Sequence, residues 1–230
     1  ETPLSLDLAA NDTDGNGDSL SVVSVDATGV LGSVTLNGDG SVTYDPNGQF
    51  ETLGVGQSAT ETFTYVVSDG NGGSDTGTVT ITVNGVNDQP VAVDDSGFVT
   101  DENTVLSTSN VLANDSDIDG DTLVVSFYTA TSAQGGTVSY LGAGVFSYDP
   151  TAVLQGLGQG DSVVDTFTYT VSDGHGGSDT ATISITVNGV NDDPTAVDDS
   201  GYTTDEDSAL TISDALANDT DPEGDPLTVS

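Results

Sequence analysis

The sequence predicts an all-β chain built of tandem β-sandwiches, and three observations carry that expectation. Apolar residues alternate with Thr and Ser at a period of two, as in Phe167-Thr168-Tyr169-Thr170-Val171 and Ile183-Ser184-Ile185-Thr186-Val187. This is the pattern of strands that bury one face. Turns such as Leu36-Asn37-Gly38-Asp39-Gly40 and Leu141-Gly142-Ala143-Gly144 separate such stretches, because Gly and Asn accept positive φ. Much of the pattern recurs at an offset of 104 residues, and the acid loop at 103 and then 104.

Self-similarity sets the units. Phe63–Asp75 recurs as Phe167–Asp179, Val83–Pro90 as Val187–Pro194, and Val93–Gly97 as Val197–Gly201. Tyr44-Asp45-Pro46 recurs as Tyr148-Asp149-Pro150. Residues 89–192 therefore form one complete repeat, 1–88 a repeat without its first strand, and 193–230 the opening strands of a further one, truncated or strand-donating. The chain opens and closes in mid-pattern, as expected of a piece of something longer.

In the middle repeat, strands are expected over 91–100 (interrupted at Asp95-Ser96-Gly97), 104–111, 122–129, 136–141, 144–149, 164–172 and 178–188. Seven short antiparallel strands in about 100 residues fit an immunoglobulin-like sandwich. No segment reads as a helix. The recurring aromatics Tyr44/Tyr148, Phe63/Phe167 and Tyr65/Tyr169 are expected in the core.

Charge narrows the function. The 230 residues include 38 acids, no Lys and no Arg, for a net charge of −38. No basic side chain exists to meet phosphate, so nucleic acid and anionic membrane surfaces are excluded as partners. Salt bridges are not expected, and self-repulsion calls for bound cations. Without Cys there is no disulfide or thiolate site. No apolar run is long enough to insert in a membrane as a helix, and no signal peptide is visible.

The acids concentrate in one loop, present three times. Asn11-Asp12-Thr13-Asp14-Gly15-Asn16-Gly17-Asp18 is followed by Asn114-Asp115-Ser116-Asp117-Ile118-Asp119-Gly120-Asp121 and by Asn218-Asp219-Thr220-Asp221-Pro222-Glu223-Gly224-Asp225. Alternating carboxylates around a Gly-bearing turn suit Ca2+, which takes six to eight hard oxygens in a forgiving geometry. An EF-hand is ruled out, since position twelve counted from Asp115 is Ser126. The remaining ligands must come from other loops.

Strands that carry the chain from pole to pole bring those loops together. Linker residues Asn87 and Asp88 should meet Asp115, Asp117, Asp119 and Asp121, with Asp173 and Asp179 facing the same place. A second junction should gather Asp101, Glu102 and Asp165, linker residues Asn191, Asp192 and Asp193, and Asp219, Asp221, Glu223 and Asp225. Asp12, Asp14, Asn16, Asp18, Asp69 and Asp75 form the free pole of the first repeat. His175 aligns with Asn71, so that position tolerates a residue that does not titrate.

Pro90-Val91-Ala92-Val93-Asp94-Asp95, Asp101-Glu102, Val111 through Leu123, Phe167 to Gly177 and Val190-Asn191-Asp192 together resemble the VCBS-type, bacterial cadherin-like tandem repeat. The resemblance spans the whole chain. It implies an immunoglobulin/cadherin-like sandwich from a large secreted RTX-type adhesin at the bacterial cell surface. Such repeats extend or adhere in biofilms. The linker Asn87-Asp88-Gln89-Pro90 is similar to that of cadherins but differs in spacing. In cadherins a Glu near the first strand, an Asp-x-Asp opening the next domain and an Asp of the last hairpin loop share the ions. By position these correspond to Glu102, to Asp219 and Asp221 (or Asp115 and Asp117), and to Asp173.

The leading expectation is a non-enzymatic extender or adhesion module stiffened by calcium, whose partners are neighbouring repeats of the same chain. One alternative is a self-assembling filament, with residues 195–230 of one molecule completing the first repeat of another. The other is glycan binding, for which the spare aromatics are Phe127, Tyr128 and Tyr140. Paired carboxylates abound, but no insertion builds a catalytic cleft around them.

Overall fold

The computed structural model describes residues 2–229 and is all-β apart from two short 3-10 turns, Leu8–Asn11 and Val111–Ala113. The outer ends of the first and third expected domains, Glu1 and Ser230, lie outside the described residues. In the first repeat the strands are β1 (Leu4–Leu6), β2 (Ser21–Asp26), β3 (Ser33–Leu36), β4 (Val42–Asp45), β5 (Ser58–Ser68) and β6 (Ser74–Asn84). They form two sheets, β1-β4-β3 and β2-β5-β6. The second repeat has β7 (Asp95–Asp101), β8 (Leu106–Ser107), β9 (Val124–Tyr128), β10 (Thr137–Gly142), β11 (Val145–Asp149), β12 (Ser162–Ser172) and β13 (Ser178–Asn188). Its sheets are β10-β11-β8 and β7-β13-β12-β9.

Each core lies between two sheets. In the second repeat Val138, Phe146 and Tyr148 of one sheet pack with Phe167, Tyr169, Val171, Ile183, Ile185 and Val187 of the other. Phe146 meets Phe167 edge-on at a centroid distance of 5.3 Å. All six recurring aromatics are buried, as the alternation requires. Burial of a large apolar side chain contributes roughly 1.5–3 kcal/mol, so these rings and the aliphatic residues packed with them stabilise each sandwich together. Tyr128 and Tyr140 pack beside Phe146, whereas Phe127 is exposed.

Three expectations are corrected. The second repeat is not wholly antiparallel: β7 pairs parallel with β13, from Ile183 opposite Asp95 to Asn188 opposite Asp101. A long connection separates these two strands, which is what parallel pairing needs. The strand also starts at Asp95 rather than at 91, and Gly97 at φ +87° accommodates the register shift between Ile183 and Ile185. The strand expected over 104–111 contracts to β8. There Asn110 Oδ1 accepts the Leu112 N–H at 3.0 Å and caps a 3-10 turn, because such side chains compete with the ladder for backbone groups.

From residue 193 onward, the described chain contains no strand. Its only pairing is an antiparallel bridge between Thr195 and Thr220. Val197, Tyr202, Leu210 and Ile212 are exposed, since no second sheet among the described residues covers them.

The chain divides into two compact units. One comprises the chain up to Pro90 with Ser116–Thr122 and Asp173–Gly177, and the other Val91–Asp115, Leu123–Ser172 and the chain from Ser178 on. The division differs from the repeat boundary. Two acid-bearing loops of the second repeat group with the linker Asn87-Asp88.

Candidate metal centres

Among the described residues three carboxylate clusters form, each with oxygens within 4.8 Å of one another: Asp117, Asp119 and Asp121; Glu102, Asp192 and Glu223; and Asp14, Asp18 and Asp69. Local turn chemistry builds the loops. Asp117 Oδ1 accepts the N–H groups of Asp119 and Asp121 at 2.9 and 3.3 Å. Asp221 does the same for Glu223 and Asp225, and Asp14 for Asn16 and Asp18. Aspartate favours such side-chain-to-backbone turns. Gly120, at φ +79°, permits the reversal that follows.

The first unit joins the linker to this loop. The Asp88 N–H donates to Asp119 Oδ2 at 2.8 Å. Asn87 Nδ2 donates to Asp173 Oδ2 at 2.8 Å, and Asp173 Oδ1 accepts from the N–H groups of His175 and Gly177. The Asn87 amide, with those N–H groups, holds the Asp173 carboxyl below the usual carboxylate range. His175 Nε2 lies 3.6 Å from Asp121 Oδ1. This is the one ion-pair geometry found among the described residues, where none was expected.

The second unit builds the corresponding cluster more completely. Glu102 is fully buried. Its two carboxylate oxygens accept the Val190 N–H at 2.8 Å and the Leu157 N–H at 3.2 Å. The Asp192 N–H donates to Glu223 Oε1 at 2.7 Å, matching the Asp88–Asp119 bond 104 residues earlier. Asn191 Nδ2 donates to the Asp192 carbonyl.

The test of fit is what these bonds leave over. Asn87 Oδ1, Asp117 Oδ2, Asp119 Oδ1 and Asp121 Oδ2 are buried with no hydrogen-bond partner, and so are Asp192 Oδ2 and Glu223 Oε2. A buried polar group without a partner costs about 1–3 kcal/mol, and more when charged. Carboxylates packed together cannot satisfy one another, because ionised oxygens only accept. A hard divalent cation among them resolves both costs. These residues therefore fit such an ion.

Other expected ligands make hydrogen bonds within the fold. Asp115 accepts the Val93 N–H at 2.8 Å and the Tyr169 hydroxyl. Asp12 takes the Tyr65 hydroxyl, and Asp219 the Val197 N–H. Asp179 accepts the Ala92 N–H. Asp101 caps its own turn at Asn103. Asp165 is buried inside the sandwich, bonded to Ser132, Gln134 and Tyr148. Asn16 and Asp225 are exposed and contribute backbone N–H groups. Asp75 and Asp193 join none of the three carboxylate clusters. Sequence reasoning passed over the tyrosine hydroxyls that anchor the acids, although Tyr65 and Tyr169 recur 104 residues apart, beside Asp12 and Asp115 at 103.

Residues 1–85 and 87–189 match the bacterial cadherin-like domain family, and 191–230 the bacterial Ig domain family. The calcium-binding lectin RapA2 of Rhizobium johnstonii is 30% identical over 175 residues, which cover 70% of this chain and 73% of that protein. Human mucin-like protocadherin EC1-2 aligns with 76% of this chain and 85% of its own, at 17% identity and a TM-score of 0.42. Mouse clustered PcdhgC3 EC1-3 aligns with 83% of this chain and 62% of its own, at 15% identity and a TM-score of 0.41.

Proposed function

The chain belongs to the bacterial cadherin-like domain family, and we propose on that footing that it is a calcium-stiffened adhesion and extension module of a protein displayed outside the bacterial cell. The observation that carries the reading is the set of buried, unpartnered oxygens on Asn87, Asp117, Asp119 and Asp121 and on Asp192 and Glu223. Calcium between them ties each linker to the loop that follows it and to Asp173 or Glu102. Asp14, Asp18 and Asp69 form the same kind of site at the start of the chain. The repeats divide at 88/89 and 192/193, so each linker supplies ligands where one repeat gives way to the next. Without calcium, like charges push these segments apart. The relative RapA2, named a calcium-binding lectin, supports calcium as the ion.

Calorimetric titration of calcium into the chelator-treated chain tests this, read together with melting temperature and the spread of interdomain angles in solution scattering. Saturable binding, a raised melting temperature and a narrowed spread are expected. No response to calcium overturns the proposal.

A second reading, carbohydrate recognition, draws on the word lectin in that name and on the exposed ring of Phe127 on β9. Saccharide binding that disappears in Phe127→Ala is its test.

A further inference from the structure

Six asparagines are followed by glycine: Asn16, Asn37, Asn47, Asn71, Asn84 and Asn188. Such a pair carries its own chemistry. The glycine nitrogen, with no Cβ crowding it, attacks the amide carbon of the asparagine before it. The N–Cγ bond forms, the Cγ–Nδ2 bond breaks, and the proton shed by the glycine nitrogen leaves with the amide as ammonia. Water then opens the cyclic imide to aspartate or to isoaspartate. The reaction needs a glycine N–H free of hydrogen bonds and an asparagine side chain free to turn onto it, so the fold decides which pairs react.

Five of the pairs are restrained. The Gly17 N–H donates to the Asp14 carbonyl at 3.2 Å, the Gly85 N–H to that of Gln57 at 2.9 Å, and the Gly189 N–H to that of Asp161 at 2.9 Å. Gly85 and Gly189 also lie against the carbonyls of Leu53 and Gly54 and of Leu157 and Gly158, which leaves those nitrogens little room to move. Asn37 Nδ2 is held by Ser41 Oγ and Thr43 Oγ1, both at 2.9 Å. Asn47 sits at φ +53°. A left-handed residue brings its Cβ toward its own carbonyl oxygen, and so turns the next nitrogen away from the side chain.

Asn71-Gly72 differs. The pair lies in the turn between β5 and β6, and both residues are exposed. The Gly72 N–H makes no hydrogen bond to any described residue. Gly72 stands at φ +108°, where the absence of a side chain lets the backbone shift as the ring closes. Asp69 Oδ1 accepts the Asn71 N–H at 2.7 Å and the Gly73 N–H at 2.9 Å, so it fixes the turn on either side of the Gly72 nitrogen without engaging it. The Asn71 side chain makes one bond, from Nδ2 to Asp18 Oδ2 at 2.9 Å. In the second repeat His175 takes the place of Asn71, and the chemistry is lost there.

We infer that Asn71 is a site of spontaneous deamidation in the folded protein, a self-modification that needs only water and adds a carboxylate beside Asp14, Asp18 and Asp69. The net charge moves from −38 by one further negative unit. The amide that donated to Asp18 becomes an acceptor, so the hydrogen bond between the two loops turns into a contact between like charges. Where isoaspartate forms, the main chain also lengthens by one carbon within the turn that Asp69 holds.

Peptide mapping by mass spectrometry, on the full chain aged in mildly alkaline buffer, tests this. Pepsin at low pH serves for the digest, because the chain offers trypsin no Lys or Arg. Each rate is read against that of the same site in denaturant, where the restraints are gone. Folding is expected to slow Asn16, Asn84 and Asn188 at least tenfold and to leave Asn71 close to its denatured rate. Asn71→Gln, whose longer side chain must close a larger ring, should remove the main acidic species that ion exchange resolves in the aged chain. Asn84 or Asn188 keeping pace with Asn71 in the folded chain, an Asn71 slowed as much as they are, or an acidic species that persists in Asn71→Gln overturns the inference.

Discussion

Glu102→Gln should change stability in opposite directions with and without calcium. In chelator the buried carboxylate faces Asp192 and Glu223, with oxygens within 4.8 Å. At an effective dielectric of about 20, each such pair repels by about 3 kcal/mol. Glutamine removes that repulsion. It keeps one carbonyl oxygen for either Val190 or Leu157 and turns an amide N–H toward the other donor. The lost charge-assisted bond costs about 1.5–3 kcal/mol. Relief from two neighbours exceeds one lost bond, so the calcium-free variant should be as stable as the parent or more so. In calcium the order reverses, because the variant has lost a charged ligand. A hundredfold weaker affinity removes about 2.7 kcal/mol of calcium-derived stability. Denaturant unfolding of both chains, in calcium and in EGTA, reads the two signs, and calorimetry reads the affinity. An equal loss in both conditions would falsify the metal role and leave Glu102 as a clasp for two backbone N–H groups.

Four further outcomes are expected. Asp117→Ala removes the acceptor for the Asp119 and Asp121 N–H groups together with one of the unpartnered oxygens; it should loosen the junction, seen as a wider spread of interdomain angles in calcium, while costing only about 1 kcal/mol of sandwich stability in EGTA. Tyr169→Phe deletes the hydroxyl shared by Asp95, Asp115 and the Val111 carbonyl and should destabilise the second repeat by about 1–3 kcal/mol, measured by denaturant unfolding. Gly189→Ala places a Cβ against the carbonyls of Leu157 and Gly158; overpacking there should cost about 1–3 kcal/mol, and an unfolding midpoint unchanged in both Gly189→Ala and Gly189→Val would refute so close an approach. Thr151 holds the Asp149 carboxyl below its ordinary range by side-chain and backbone bonds, as Ser41 does for Asp39; that stability is present above the ordinary carboxylate value and fades as pH falls through the depressed one, so Asp149→Asn should flatten the acid limb of a stability-against-pH curve in EGTA.

The sandwiches were legible because alternation is a one-dimensional signal. A strand such as Phe167–Val171 declares its buried face by period alone, and the 104-residue offset shows which residues share a role. The parallel β7 was not legible, since alternation carries no strand direction and Asp95-Ser96-Gly97 reads as a break. The acid loops could be found from the sequence, but their division of labour could not. Asp115 and Asp117 look alike in the chain. Only the fold places the Tyr169 hydroxyl against one and leaves an oxygen of the other without a partner. Glu102 was singled out by position, yet its pairing with Glu223 rather than Asp219 or Asp221 depends on where Asp192 brings the linker.

Asp117 explains why these loops favour aspartate with so little glutamate. One oxygen is spent on the backbone, where it fixes the turn; the other is buried without a hydrogen-bond partner and, on the proposed function, is an ion ligand. A longer side chain separates those tasks, because its carboxylate reaches past its own turn. Glutamate accordingly appears where the reach is needed: Glu223 bonds the Asp192 N–H, and Glu102 bonds Val190 across 88 residues of sequence. The bonds that shape the loop are thus the chain's own. What the ion must supply is charge, since a chain with 38 acids and no Lys or Arg holds no counter-charge of its own beyond a single histidine. On the proposed function, stiffness tied to calcium follows from that shortage: the same carboxylates that repel one another without the ion would link linker to loop with it.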